Sequence, residues 1–192
     1  MLLEKCGWRV TFSSDPPRSG ICALPMSKPA ASARRFWLFK SEPSSFSFAD
    51  LQRCKGRRTA WDGVRNHQAR NFLRDEIQVG DGVLFYDSSS DPLAIAGVCK
   101  VVKSGYPDPT AFDPGDDHHD PKSDPARPTW FAVDVEAVAG FDPPVLRTTL
   151  QGEPALSDLL LLKRGSRLSV QPVTKDQWRT ILRLGGVREA SA

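Results

Sequence analysis

Two segments near the start of this 192-residue chain concentrate side chains that can hold a flat ligand by its face and its edge. The first is Trp37-Leu38-Phe39-Lys40-Ser41-Glu42-Pro43, the second Trp61-Asp62-Gly63-Val64-Arg65-Asn66-His67-Gln68-Ala69-Arg70-Asn71-Phe72-Leu73. In each a large aromatic stands a few residues from charged or amide groups, the combination that stacks on a ring and hydrogen-bonds its rim. Trp61 is the principal stacking candidate and Trp37 a second. Glu42 and Asp62 can accept from an exocyclic amine such as cytosine N4, with Lys40 and Ser41 beside them. In Phe85-Tyr86 successive side chains alternate across a strand, and Tyr86 is the expected second wall because its hydroxyl tolerates a wet rim.

Each residue also has a plainer reading. Trp61 and Trp37 can be core tryptophans. Lys40 and Glu42 can form a structural ion pair, and a buried Glu42 would need such a partner. From Arg53 to Arg74 there are seven Lys or Arg against the single acid Asp62, a local basic stripe. Arg57, Arg58, Arg65, Arg70 and Arg74, with Asn66 and Asn71 around the start of a predicted helix, suit phosphate groups. The plainer alternative is a solvated helix face with local capping. From Asp108 to Asp124 there are six Asp against Lys122, so a polyanion is expected to choose the stripe and avoid this second segment.

Other chemistries find less support. The spacing of Asp113, Asp116, Asp117, His118, His119 and Asp120 does not place the glycine and terminal glutamate of a calcium loop, and the stretch reads as a packed acidic loop, so no metal or cofactor is expected. Cys6, Cys22, Cys54 and Cys99 are dispersed and read as reduced thiols of a cytosolic compartment. A hydrolase using Glu42 or Asp62 as base is the remaining catalytic alternative, without nucleophile, metal set or triad; no catalytic residue is assigned.

These groups must be placed by short elements. Phe36 to Lys40 predicts a strand, and Ser47 caps a helix through Cys54 with Phe46 and Leu51 as a staple. Thr59 to Trp61 reads as a brief strand and Asn66 to Asp75 as a helix. Val83 to Tyr86 and Ile95 to Val102 form an expected antiparallel pair, and Gly105 to Pro128 a long loop. Trp130 to Val138 alternates as a strand, Ala155 to Leu162 reads as a helix, and Arg167 to Val170 as a strand. Thr174 to Leu184 is a capped helix that Gly185 ends. Mixed order with five or six strands implies an α+β fold, a twisted sheet or open barrel with short helices packed outside. Residues 1–35 read as a disordered or mis-called extension, 36–185 as one domain and 186–192 as a tail. No run approaches the roughly 18 apolar residues of a membrane span.

The quoted motifs, with Tyr106-Pro107-Asp108, Asp120-Pro121-Lys122-Ser123, Trp130-Phe131-Ala132-Val133-Asp134-Val135 and Leu168-Ser169-Val170-Gln171-Pro172-Val173, resemble the EVE domain family in order over Phe36 to Gly185. The resemblance implies a PUA-like twisted open β-barrel, similar in fold to YTH readers of methylated adenine, and a binder rather than a catalyst. It implies that Lys40-Ser41-Glu42 and Trp61-Asp62 form a cage that reads a base edge. The expected function is a module that accepts a flipped or single-stranded modified base, modified cytosine in DNA first. The alternative is an RNA-binding domain for modified adenine or structured RNA. The expected partner is nucleic acid, with a separate effector protein; the expected state is a monomer, cytoplasmic, or nuclear in a eukaryote. The chain departs from the family in having Asp87 where a histidine is common and His118-His119 where aromatic pairs are common.

Overall fold

The structure, a computed structural model, describes residues 33–189. The expectations for residues 1–32, for Cys6 and Cys22, and for residues 190–192 lie outside the described residues. Six strands form one mixed sheet in the order β2-β5-β4-β3-β1-β6. They are β1 Phe36–Ser41, β2 Arg58–Trp61, β3 Gly82–Asp87, β4 Ala94–Pro107, β5 Phe131–Leu146 and β6 Val170–Val173. Only β1 and β3 pair in parallel; the other neighbours are antiparallel.

The sheet coils. β1 and β2 are separated by three strands, yet the rings of Phe39 and Trp61 lie 5.0 Å apart. Four register shifts along the β4 and β5 pair supply the bending, since each bulge adds local twist. No hydrogen-bonded pairing joins β2 to β1 or β6, so the barrel is open, as the α+β reading anticipated.

Strand alternation sends residues to two cores. Trp37, Phe39, Val83 and Phe85 join Trp61 on one face, where helix α1 (Phe48–Arg53) contributes Phe48 and Leu51 and helix α2 (His67–Asn71) contributes Ala69. Phe36, Leu38, Leu84 and Tyr86 lie on the other, under Trp178, Ile181 and Leu182. Those three belong to α4 (Lys175–Leu184), whose capping box joins Thr174 to Gln177 as expected. Ser47 caps α1 through a reciprocal box with Asp50.

Three elements differ from expectation. The helix expected from Asn66 to Asp75 is the five-residue α2 followed by a wider helical turn over Phe72–Glu76. Ala155 to Leu162 is not a helix but isolated tight turns, after a short α3 at Arg147–Gln151; Pro154 and a run of leucines burying different sides prevent a single periodic face. The last strand lies at Val170–Val173 rather than Arg167 to Val170, because Lys163 to Ser169 forms a loop held by β1. At the domain's start, Arg35 is anchored, its amide donating to Asp81 and its guanidinium pairing with Glu76. Beyond α4, Val187 packs on the second core and Glu189 pairs with Arg179.

Candidate nucleic-acid interface

Coiling brings the C-terminal ends of β1 and β2 to opposite walls of one cleft of about 630 Å³. Lys40, Ser41 and Glu42 come from β1 and the turn after it; Thr59, Ala60, Trp61, Asp62 and Arg65 come from β2 and the segment beyond. Both predicted segments therefore meet, although the sheet order places their strands far apart. The volume lies in the range of small-ligand sites.

Trp61 is at once wall and core. It retains 8% of its exposure, meets Phe85 edge-on at 5.4 Å and 89°, and leans on Phe39. Its edge can touch a ligand while its body is fixed. Phe46, partly buried, and His118, exposed, add two flat surfaces.

The segment after Trp61 is held by a buried carboxylate. Asp108, wholly buried, accepts from the Gly63 amide at 3.0 Å, from Arg65 Nη1 at 2.7 Å, and from the Thr110 amide and hydroxyl. Burial pushes its carboxyl up, but the hydrogen bonds from Arg65, Thr110 and Gly63 together hold it below the ordinary value. Arg65 also donates to the His118 carbonyl through Nε at 2.8 Å and to the Thr110 hydroxyl. Gly63 has φ +68, and a Cβ there would stand 2.8 Å from the His118 ring. Glycine thus permits both the backbone turn and the approach of the imidazole.

Asp62 accepts no hydrogen bond from another residue's side chain among the described residues and lines the cleft. Desolvation pushes its carboxyl up, reinforced by the charges of Asp108 and Asp116 and opposed by His118. It is an acceptor available to a ligand. Lys40 donates to the Ser166 carbonyl rather than to Glu42, so the expected ion pair is not formed; Glu42 is exposed and accepts from Ser89. Ser41 donates to the Phe46 carbonyl and closes the turn beneath the cleft.

Three aromatic candidates lie away from the cleft. Trp37 is buried and its indole donates to Asp81 at 2.9 Å. Phe85 is fully buried behind Trp61, and Tyr86 points to the opposite face. The expectation of one inward and one rim residue assumed a sheet with one wet face, whereas both faces of β3 are covered.

The basic stripe is also placed differently. Arg58 pairs with Glu136 and Arg74 with Asp75. Arg65 is tied to Asp108, while Arg70 donates to the Thr129 carbonyl and lies over Trp130. Asn66 caps α2 by accepting from the Gln68 and Ala69 amides through Oδ1, and the Asn71 Oδ1 accepts from Arg70. Arg57 alone of these arginines has no side-chain hydrogen bond or ion pair among the described residues. The acidic segment does not stand apart from the stripe: it is bound to it through Arg65, and its Asp113, Asp116, Asp120 and Asp124 accept amides two residues on. No group of His, Cys, Asp and Glu able to hold a metal converges among the described residues.

Residues not anticipated in the cleft are Ser45, Phe46, Thr59, Ala60, His118 and Ser169. His118 comes from 55 positions further along than Gly63, and no local pattern announces that contact. Asp108 was legible in part, since Asp-Pro-Thr is a capping sequence and Asp108 caps the turn Pro109–Phe112. Of the two family departures, His118 lines the cleft and Asp87 does not.

The sequence pattern of the EVE domain matches residues 35–184. Human thymocyte nuclear protein 1 is 40% identical over 165 residues, spanning 77% of this chain and 72% of that protein. A solved Pseudomonas syringae protein is 48% identical, with a TM-score of 0.74 over 78% of this chain and 99% of that one. The human THYN1 protein, solved in complex with 5-methylcytosine containing DNA, is 37% identical with a TM-score of 0.74, covering 80% and 99% respectively.

Proposed function

The chain belongs to the EVE domain family, and we propose that the cleft between the ends of β1 and β2 binds a modified base of a nucleic acid, 5-methylcytosine in DNA first. The observation that carries this reading is the convergence of the Trp61 edge, Phe46, His118 and the Asp62 carboxylate on one cleft. Asp62 accepts from the exocyclic N4 amine, a contact that cytosine offers and thymine lacks. Val64, Ala60 and the Trp61 edge give the 5-methyl group an apolar wall. The related human protein solved with 5-methylcytosine containing DNA supports the choice of base.

The energies suit a selective but modest reader. Stacking one base contributes about 1 to 3 kcal/mol, whereas extruding it from a duplex costs a few kcal/mol. A methyl group adds about 1 to 3 kcal/mol, roughly 5- to 150-fold in affinity. The domain acts here as a binder; Glu42, the other candidate base, is exposed and accepts from Ser89.

The test is fluorescence anisotropy of the full chain with matched DNA and RNA oligonucleotides carrying cytosine, 5-methylcytosine, adenine or N6-methyladenine. Tightest binding to 5-methylcytosine DNA, weakened by Asp62→Asn, supports the reading. Preference for the adenine series in RNA would assign the cleft to the other base, and equal binding of all would remove the role of the cleft.

A further inference from the structure

A second cleft, about 380 Å³, opens on the other flank of Lys40. Five cations line it, Lys40, Arg147, Lys163, Arg164 and Arg167, around the ring of Tyr86, and no carboxylate is among its lining residues. Lys163 pairs with Asp158 at 2.9 Å. Arg147, Arg164 and Arg167 make no side-chain hydrogen bond or ion pair among the described residues, in contrast to Arg58, Arg65 and Arg74 of the stripe, which have carboxylate partners. Burial, and then the charge of Arg147, hold the Lys40 ammonium below its ordinary value.

The wall between the clefts is a fastened loop. Lys40 donates from Nζ to the Ser166 carbonyl and from its backbone amide to the Ser169 carbonyl, and Gln171 donates to Ser166 Oγ and the Leu168 carbonyl. Gly165, at φ +78, turns the chain so that Arg164 and Arg167 stand on either side of it. Ser169 faces the first cleft, while Ser166 and Arg167 face the second. Lys40 borders both, so the two sites are adjacent across one side chain.

We infer that the second cleft holds a backbone phosphate of the same strand whose base occupies the first, with Arg147, Arg164 and Arg167 as its ligands and Lys40 between the two subsites. This rests on the base-binding reading. It relocates the phosphate contact from the basic stripe, where Arg58, Arg65 and Arg74 already have carboxylate partners, to cations that have none. Each phosphate that a cation neutralises releases counterions condensed on the strand, so residues without an internal carboxylate partner are placed to carry the salt dependence of binding.

The experiment compares the full chain, Arg164→Ala/Arg167→Ala, Arg147→Ala, and Arg58→Ala/Arg74→Ala as control. Each is titrated with single-stranded DNA carrying 5-methylcytosine or cytosine between about 50 and 200 mM salt. The expected result is a shallower plot of log affinity against log salt for the two second-cleft variants, by about 0.7 per phosphate lost, with the methylated-to-unmethylated ratio retained and the control unchanged. A wild-type chain that discriminates the bases, together with second-cleft variants of unchanged slope or a control of equally reduced slope, overturns this inference alone. A wild-type chain that does not discriminate them overturns the base reading and this inference with it. Inorganic phosphate is titrated by calorimetry as a separate arm; binding as tight as that of the oligonucleotide would make the occupant a free anion and overturn the assignment to a strand.

Discussion

Replacing Arg65 by Ala should destabilise the domain by about 3 to 5 kcal/mol, because it leaves a wholly buried carboxylate without its cation. The figure belongs toward the lower end, since the Gly63 amide and the Thr110 amide and hydroxyl still donate to Asp108. Asp108→Asn should cost about 1.5 to 3 kcal/mol, the range for a hydrogen bond to a charged group, as Arg65 retains 23% exposure and keeps the His118 carbonyl. Because the residues touch, the double variant should lose less than the sum of the two. Urea unfolding at neutral pH measures all three. The pH dependence supplies a second check. In the wild type the Asp108 carboxyl is held below its ordinary value, so its contribution is complete above the unfolded pKa of about 3.9 and is lost as pH falls through the lower folded value. Without Arg65 burial dominates and raises that carboxyl, so the deficit of Arg65→Ala should narrow in acid. A loss below about 1 kcal/mol, or a deficit constant down to about pH 3, would refute Arg65 as the strut of the cleft.

Trp61→Ala should cost about 3 to 5 kcal/mol through its contacts with Phe39 and Phe85, so unfolding and binding must be measured together; Trp61→Phe should keep a folded domain by thermal melting and weaken base binding. Asp62→Asn should leave Tm unchanged or higher, since the folded carboxyl is raised and its charge is disfavoured at neutral pH, while oligonucleotide affinity falls; a lower Tm with intact binding would reverse its role. Gly63→Ala should destabilise by about 1 kcal/mol or more from the positive φ alone and displace the His118 imidazole, seen as a shifted His118 ring resonance. Thr174→Ala should cost about 0.5 to 2 kcal/mol in urea by removing the α4 cap.

What the sequence disclosed depended on how local the cause was. Ser47 and Thr174 announced their helices because a cap and its third residue lie within one turn. Lys40-Ser41-Glu42 and Trp61-Asp62 were legible as one site, since each ends a short strand. The orientation of Trp37, Phe85 and Tyr86 was not legible, because it depends on whether helices cover one face of the sheet or both. The partners of the arginine stripe were not legible for a related reason: opposite charges far apart in sequence, Arg65 and Asp108, are partners in space. The second cleft draws Lys40, Tyr86, Arg147 and the Lys163 to Arg167 loop from four regions of the chain, a convergence only the topology creates.

Entry of the base into the cleft between β1 and β2 can be read by two-dimensional amide and indole NMR of the full chain, titrated with a single-stranded oligonucleotide carrying one 5-methylcytosine. The expected shifts are concentrated at Lys40 to Glu42, Thr59 to Arg65, His118 and the Trp61 indole, and are larger than with the unmethylated oligonucleotide. Shifts confined to Arg70 and Arg74, or identical for the two oligonucleotides, would contradict it.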